Sequence, residues 1–158
     1  MARVLITGMS GAGKSTLVQA LTERGFTTVD TDQAGWEISP ARWDVPRMRA
    51  LLDDQQTVAV CGTAENQGEF YDQFDHVAYL VAPLEVLLDR VRRRTTSPYG
   101  KTPQQQADIT RYVAEVEPLI RRSATIELDA RRPVEDLTDQ AATLMNTPQV
   151  ISPRPVLS

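Results

Sequence analysis

The stretch Gly8-Met9-Ser10-Gly11-Ala12-Gly13-Lys14-Ser15-Thr16 decides how the rest of the chain is read. It follows the apolar run Val4-Leu5-Ile6 and leads into Leu17-Val18-Gln19-Ala20-Leu21, so a glycine-rich loop sits between a strand and a helix. Gly8, Gly13, Lys14 and Ser15 occupy the fixed positions of the pattern G-x-x-x-x-G-K-[ST]. Glycines allow successive backbone N–H groups to converge on one phosphate chain, and the helix N-terminus adds its positive end. Ser10, Gly11, Ala12 and Thr16 belong to the same cradle. Lys14 is expected to reach the β and γ phosphates, and the Ser15 hydroxyl to hold Mg²⁺, a hard cation that prefers oxygen. A plain glycine turn capping a helix would give Lys14 no purpose.

Outside this loop the composition is that of an ordinary globular domain. The 158 residues fit one domain with a sizeable core, and 41% are hydrophobic and 24% charged. A formal charge of -4 argues against a nucleic-acid or anionic-membrane partner, which needs a basic face. The single cysteine, Cys61, has no internal disulfide partner and reads as a buried small hydrophobe. No apolar run approaches the ~18 residues of a membrane span. The expected setting is cytoplasmic, and the expected state a monomer or weak dimer.

Along the chain, short apolar runs alternate with helical patterns. Strands are expected at Arg3 to Thr7, Phe26 to Asp30, Thr57 to Cys61, His76 to Val81 and Ala124 to Leu128. Helices are expected at Ser15 to Arg24, Arg47 to Asp53, after Pro83, over 104–122, and from Val134 to Met145. In the helix after Pro83, Leu84, Leu87, Leu88 and Val91 form an apolar stripe, with Arg94 toward the same side. Residues 33–56 read as polar and broken. Thr95 to Pro103, with Pro98 and Gly100, reads as a mobile loop, and residues 147–158 as a loosely ordered tail. Such alternation predicts an α/β fold with a parallel sheet covered by helices on both faces. Ligands in such sheets bind beyond the carboxyl ends of the strands. The glycine-rich loop, Asp30 with Asp32, and Gly62 to Gln67 all fall there.

These residues together resemble a known group. The phosphate loop, Asp30-Thr31-Asp32, Arg93-Arg94-Thr95 and Pro118-Leu119-Ile120-Arg121-Arg122 before Ala124-Thr125-Ile126 look like the shikimate kinases and their relatives, the gluconate and nucleoside monophosphate kinases. The resemblance covers about residues 2–146, taken as one kinase domain. It implies a three-layer P-loop NTPase fold with strand order 2-3-1-4-5, a lid near 95–103 and an acceptor segment near 33–56. It also implies ATP and Mg²⁺ as cofactors and transfer of a phosphoryl group to a hydroxyl of a small molecule. By the same analogy Asp30 steadies the water shell of Mg²⁺, Asp32 holds the accepting hydroxyl and takes its proton, and Arg94 lies against adenine. Lys101 falls where the family often carries a lid arginine, and Arg132 and Pro133 fall near the adenine pocket.

Two departures bear on the acceptor. The shikimate kinases have a glycine triplet where this chain reads Gly62-Thr63-Ala64-Glu65-Asn66, and a substrate-binding arginine near the position of Val116. The missing arginine and the presence of Glu65 favour a neutral or amine-bearing acceptor, such as a sugar, nucleoside or amino-alcohol, over shikimate. Glu65 and Asn66 are candidate substrate contacts, with helix capping the competing role for Asn66. Trp36 is either a stacking wall for the acceptor or ordinary core, and Arg47 lies in the same segment. A nucleoside monophosphate kinase is the nearest alternative, with Arg47, Arg49 and Arg111 as its only suppliers of positive charge. A non-catalytic ATP-binding regulator is the alternative from another class. An Asn-Lys-x-Asp guanine motif is absent from the sequence. His76 stands at the start of a strand and no zinc spacing is present.

Overall fold

The computed structural model describes residues 2–33, 35–39, 41–95 and 98–148. Five parallel strands form its centre: β1 (Arg3–Gly8), β2 (Thr28–Asp30), β5 (Val58–Cys61), β6 (His76–Val81) and β7 (Ile126–Asp129), in the order β2-β5-β1-β6-β7. This is the expected order of the five sheet strands. A hairpin of β3 (Glu37–Ser39) and β4 (Arg42–Trp43) stands apart from the sheet. The helices are α1 (Lys14–Glu23), α2 (Val45–Asp54), α3 (Leu84–Arg93), α4 (Pro103–Glu115), α5 (Glu117–Ser123) and α6 (Val134–Met145).

The central strand shows why both faces are covered. Leu5 pairs in register with Val60 of β5 and Val77 of β6, and all three are buried. They pack on one side of the sheet with Trp43, Met48, Leu52, Phe70 and Phe74. Their neighbours Val4 and Ile6 point the other way, as strand alternation requires, into a cluster with Leu17, Leu21, Leu137 and Ala141 of α1 and α6. A strand with no polar face is stable only in the middle of such a sandwich.

The described residues of 33–56 carry the β3–β4 hairpin and the expected helix, α2, which Asp44 caps by accepting from the Arg47 N–H at 3.2 Å, with Pro46 in the first turn. The loop after β5 runs into a 3-10 helix, Gln67–Gln73, whose Phe70 plugs the core. The single helix expected over 104–122 is two: the chain breaks at Val116, because Pro118 offers no N–H and its ring crowds the carbonyl four residues back. Two lid positions, Thr96 and Ser97, and residues 149–158 of the tail lie outside the described residues. Thr147 continues from α6, donating its N–H to Leu144 O at 3.1 Å.

Candidate active site

The carboxyl ends of β1, β2 and β5 deliver the functional side chains to one cleft of about 590 Å³. Gly8, Ser10 and Lys14 line it from the phosphate loop, Asp32 from the end of β2, and Thr63, Glu65 and Tyr71 from the segment after β5. Gly11 has φ +86°, and a Cβ there would sit 2.6 Å from the carbonyl oxygen of Leu87, so the loop closes against α3 only with glycine at that position. Gly13 caps α1 in the left-handed region. Ala12 is buried beneath the loop and Thr16 is exposed on the first turn of α1.

Lys14 curls over the cradle, its Nζ donating to Gly8 O at 2.6 Å and Met9 O at 3.1 Å. Desolvation pulls its pKa below the ordinary lysine value, and the positive charge of Arg94 adds to the effect, while Cys61, Asp32 and Asp30 oppose it. A phosphate chain in the loop would supply the negative charge this ammonium lacks. Beneath it the Cys61 thiol donates to Lys14 O at 3.2 Å, and burial pushes its pKa up to about 12, so it stays protonated.

Ser15 and Asp30 stand together, with Ser15 Oγ 3.5 Å from Asp30 Oδ2. The other oxygen of Asp30 accepts the Asp32 N–H at 3.0 Å, which turns the chain so that Asp32 lines the cleft. A hydroxyl and a carboxylate are hard oxygen donors that fit a cation keeping most of its waters. Among the described residues no group of three or more His, Cys, Asp or Glu side chains stands close enough to hold a metal by itself.

Thr63, absent from the candidate residues, links the two halves of the site. Its Oγ1 donates to Gly8 O at 2.7 Å and stands 2.9 Å from Thr7 Oγ1. Only the pairing of β1 with β5 reveals this contact, although a threonine just beyond an apolar strand is a local hint. Arg90 was also missed. Its guanidinium Nη2 donates to Ala130 O at 2.6 Å and its Nη1 lies 3.4 Å from Ala12 O, tying the phosphate loop to the end of β7.

Other expected contacts fall outside the cleft. Trp36 packs against the Leu5 cluster, with the Arg47 guanidinium 4.1 Å over its ring and donating to Gly35 O at 2.6 Å. Neither residue lines the cleft. Asn66 is buried, and both ends of its side-chain amide bond to the backbone of Trp43, so it neither faces an acceptor nor caps the 3-10 helix with its side chain. Lys101 Nζ donates to the carbonyls of Arg92 and Arg94, which closes the C-terminal end of α3 instead of reaching toward the phosphates. Arg94 ends α3 and donates to Tyr99 O at 3.1 Å. Arg132 and Pro133 are exposed between β7 and α6, and neither lines the cleft.

One wall of the cleft is apolar. Ile109 and Tyr112 of α4, Val116 at the break, and Leu119 and Ile120 of α5 line the same cleft. Lys14 is the one cation lining it among the described residues. Arg49 lies over the Phe70 ring, and Arg111 pairs with Asp108 at 3.3 Å.

A parallel sheet with a glycine-rich loop after its central strand, a serine–carboxylate pair and an adjoining cleft is the arrangement of a P-loop phosphotransferase. Residues 4–111 match the family model described as an AAA domain. A shikimate kinase of Rhodopseudomonas palustris is 30% identical over 166 residues, covering 90% of this chain and 80% of that protein. In fold, the chain matches the shikimate kinase of Bacteroides thetaiotaomicron with a TM-score of 0.69 at 18% identity, over 92% of this chain and 98% of that one. It also matches a deoxyadenosine kinase from M. mycoides with bound dATP, with a TM-score of 0.62 at 14% identity, over 93% and 100%. The chain belongs to the AAA-domain family, among its P-loop small-molecule kinases.

Proposed function

We propose that this kinase moves the γ-phosphate of ATP, with Mg²⁺, to a hydroxyl of a small metabolite that carries no anionic group, a sugar, nucleoside or amino-alcohol. The observation that carries this is the lining of the cleft: two carboxylates, Asp32 and Glu65, and no arginine. A carboxylate or phosphate on the acceptor would enter that lining against Asp32 and Glu65 with only Lys14 to receive it, and Lys14 is placed for the nucleotide. A nucleoside monophosphate acceptor is disfavoured on the same ground, because Arg47, Arg49 and Arg111 are engaged elsewhere.

In this reading Lys14 and the backbone N–H groups of the loop hold the phosphates, and Ser15 and Asp30 hold the hydrated metal. A Mg²⁺ bound there would supply positive charge for the phosphate oxygens. Asp32 accepts the proton of the attacking hydroxyl, held in position by its backbone bond to Asp30. Arg94 steadies the adenine end once Tyr99 releases it, and Arg132 with Pro133 completes that pocket. Lys101 leaves the end of α3 and approaches the transferring phosphate when the lid closes, a movement that also excludes water.

The test is a transfer assay with purified protein, Mg²⁺ and γ-labelled ATP against pools of sugars, nucleosides, nucleotides, amino-alcohols and shikimate. A labelled product from a sugar, nucleoside or amino-alcohol pool supports the proposal. Label on shikimate or a nucleotide overturns the acceptor class, and ATP binding with no transfer to any pool favours a non-catalytic nucleotide-binding role.

A further inference from the structure

Four large apolar side chains stand exposed among the described residues: Ile38, Tyr112, Leu119 and Val134. Two of them, Tyr112 at 48% and Leu119 at 57%, border the same cleft as Lys14 and Asp32. Behind them Ile109, Val116 and Ile120 continue the wall. The break at Val116 produces this surface, because it ends α4 and restarts the chain as α5, so that two helices contribute to one wall. Apolar area left open beside a polar catalytic edge is stabilised only when something apolar covers it. A sugar would cover it less fully than an aromatic body, since its apolar C–H face is small and the hydroxyls at its rim would lose water where they meet the wall.

Other groups of the lining are polar. Asp32 and Glu65 border the opening with the Tyr71 hydroxyl, which receives a hydrogen bond from Gln67 Nε2 at 2.8 Å. Glu65 is 3.9 Å from Arg42, a long contact between exposed side chains that leaves its carboxylate accessible. The cleft therefore has a hydroxyl-directing edge and an apolar floor.

We infer that the phosphoryl acceptor is an alcohol bearing an aromatic ring, neutral or cationic, whose ring face lies on Tyr112 and Leu119 while its hydroxyl meets Asp32. The inference rests on the kinase reading above and narrows its acceptor to compounds with an aromatic body. In the transfer step the hydroxyl oxygen bonds to the γ-phosphorus, the bond from that phosphorus to the bridging oxygen breaks, ADP leaves, and Asp32 takes the hydroxyl proton.

Titration calorimetry on the full chain, saturated with a non-hydrolysable ATP analogue, tests this with phenylalaninol, adenosine, glucose and shikimate as probes. Phenylalaninol or adenosine is expected to bind at least about tenfold tighter than glucose or shikimate, the gain from covering the apolar wall. Leu119→Ser is expected to weaken that binding roughly fivefold and leave the affinity for the ATP analogue unchanged. Leu119 is exposed, so the variant keeps its fold. Val116→Arg should weaken the aromatic probe and admit shikimate. Tighter binding of glucose or shikimate, no binding of either phenylalaninol or adenosine, or indifference to Leu119→Ser overturns the inference. A parallel assay with labelled ATP separates the two readings: label on glucose leaves the kinase standing and removes the aromatic acceptor, whereas binding of phenylalaninol or adenosine without transfer overturns both.

Discussion

The side-chain amide of Asn66 closes a two-way hydrogen bond with the backbone of Trp43: the Trp43 N–H donates to Asn66 Oδ1 at 2.9 Å, and Asn66 Nδ2 donates to Trp43 O at 3.0 Å. Asn66 follows β5 and Trp43 ends the β3–β4 hairpin, so this pair fastens the hairpin to the sheet at the rim of the cleft. Trp43 itself is fully buried, with its ring 5.9 Å from that of Phe70.

Replacing Asn66 with Ala removes both bonds and leaves a buried N–H and C=O without partners. The expected cost is about 3 kcal/mol of stability, measured by urea denaturation. A loss below about 0.5 kcal/mol would mean that the hairpin is held by other contacts.

Lys14→Met trades function for stability. Because burial lowers the folded-state pKa of Lys14, keeping it charged opposes folding, and this cost applies in full below that pKa. Methionine removes the cost, so the nucleotide-free variant is expected to melt higher than the parent at pH 7, while the melting shift produced by ATP disappears. Between the lowered pKa and 10.5 the unfolded chain binds more protons than the folded one. The parent's stability relative to the variant therefore rises with pH through that window, and the gap between the two closes. A gap that widens with pH would contradict the assigned burial.

Asp32→Asn and Asp30→Asn should separate by kinetics. The first removes the proposed base and is expected to lower kcat by about 10²- to 10⁴-fold with ATP affinity unchanged. The second removes the negative charge of the proposed holder of the hydrated metal while its amide oxygen still accepts the Asp32 N–H, so the Mg²⁺ concentration needed for half-maximal rate should rise. Unchanged turnover in Asp32→Asn removes Asp32 from the proton transfer.

Gly100→Ala probes how the proposed lid is seated. Gly100 has φ +90°, and a Cβ would sit 1.7 Å from Val91 Cγ1, inside the α3 contact. The strain is expected to cost about 1–3 kcal/mol and to move the loop. Faster hydrogen exchange across residues 98–106 with the sheet unaffected is the expected readout, since Gly100 N–H donates to Gln105 Oε1 at 2.8 Å in the intact lid. Exchange identical to the parent would place the lid elsewhere.

Some of the site was legible because its chemistry is local. Gly8 to Ser15 need only their own spacing to form a phosphate cradle, and Asp30 and Asp32 share an edge because they flank the end of one strand. What Asn66 and Arg47 touch was not legible, for the opposite reason. Their partners, Trp43 and Trp36, lie 23 and 11 positions away, and nothing in local spacing says that a polar side chain near a cleft is already occupied. Lys101 shows the same limit, since an end of α3 with open carbonyls competes with the phosphates for its ammonium.

By itself the sequence determined the alternation of strands and helices, the glycine pattern of the loop and the two aspartates at one strand end, because apolar runs, glycine spacing and strand alternation are properties of neighbouring residues; the order of the five sheet strands came only with the family resemblance. Tertiary structure alone decided what lines the cleft together with the nucleotide loop. Pro118 marks a possible break in a helix, but only the packing of α4 and α5 turns that break into a wall carrying Tyr112, Val116 and Leu119. The contacts of Thr63 and Arg90 with the loop were likewise decided by strands and helices far apart in the chain. Long-range packing sets which side chains meet, and local patterning sets only what each is able to do when they do.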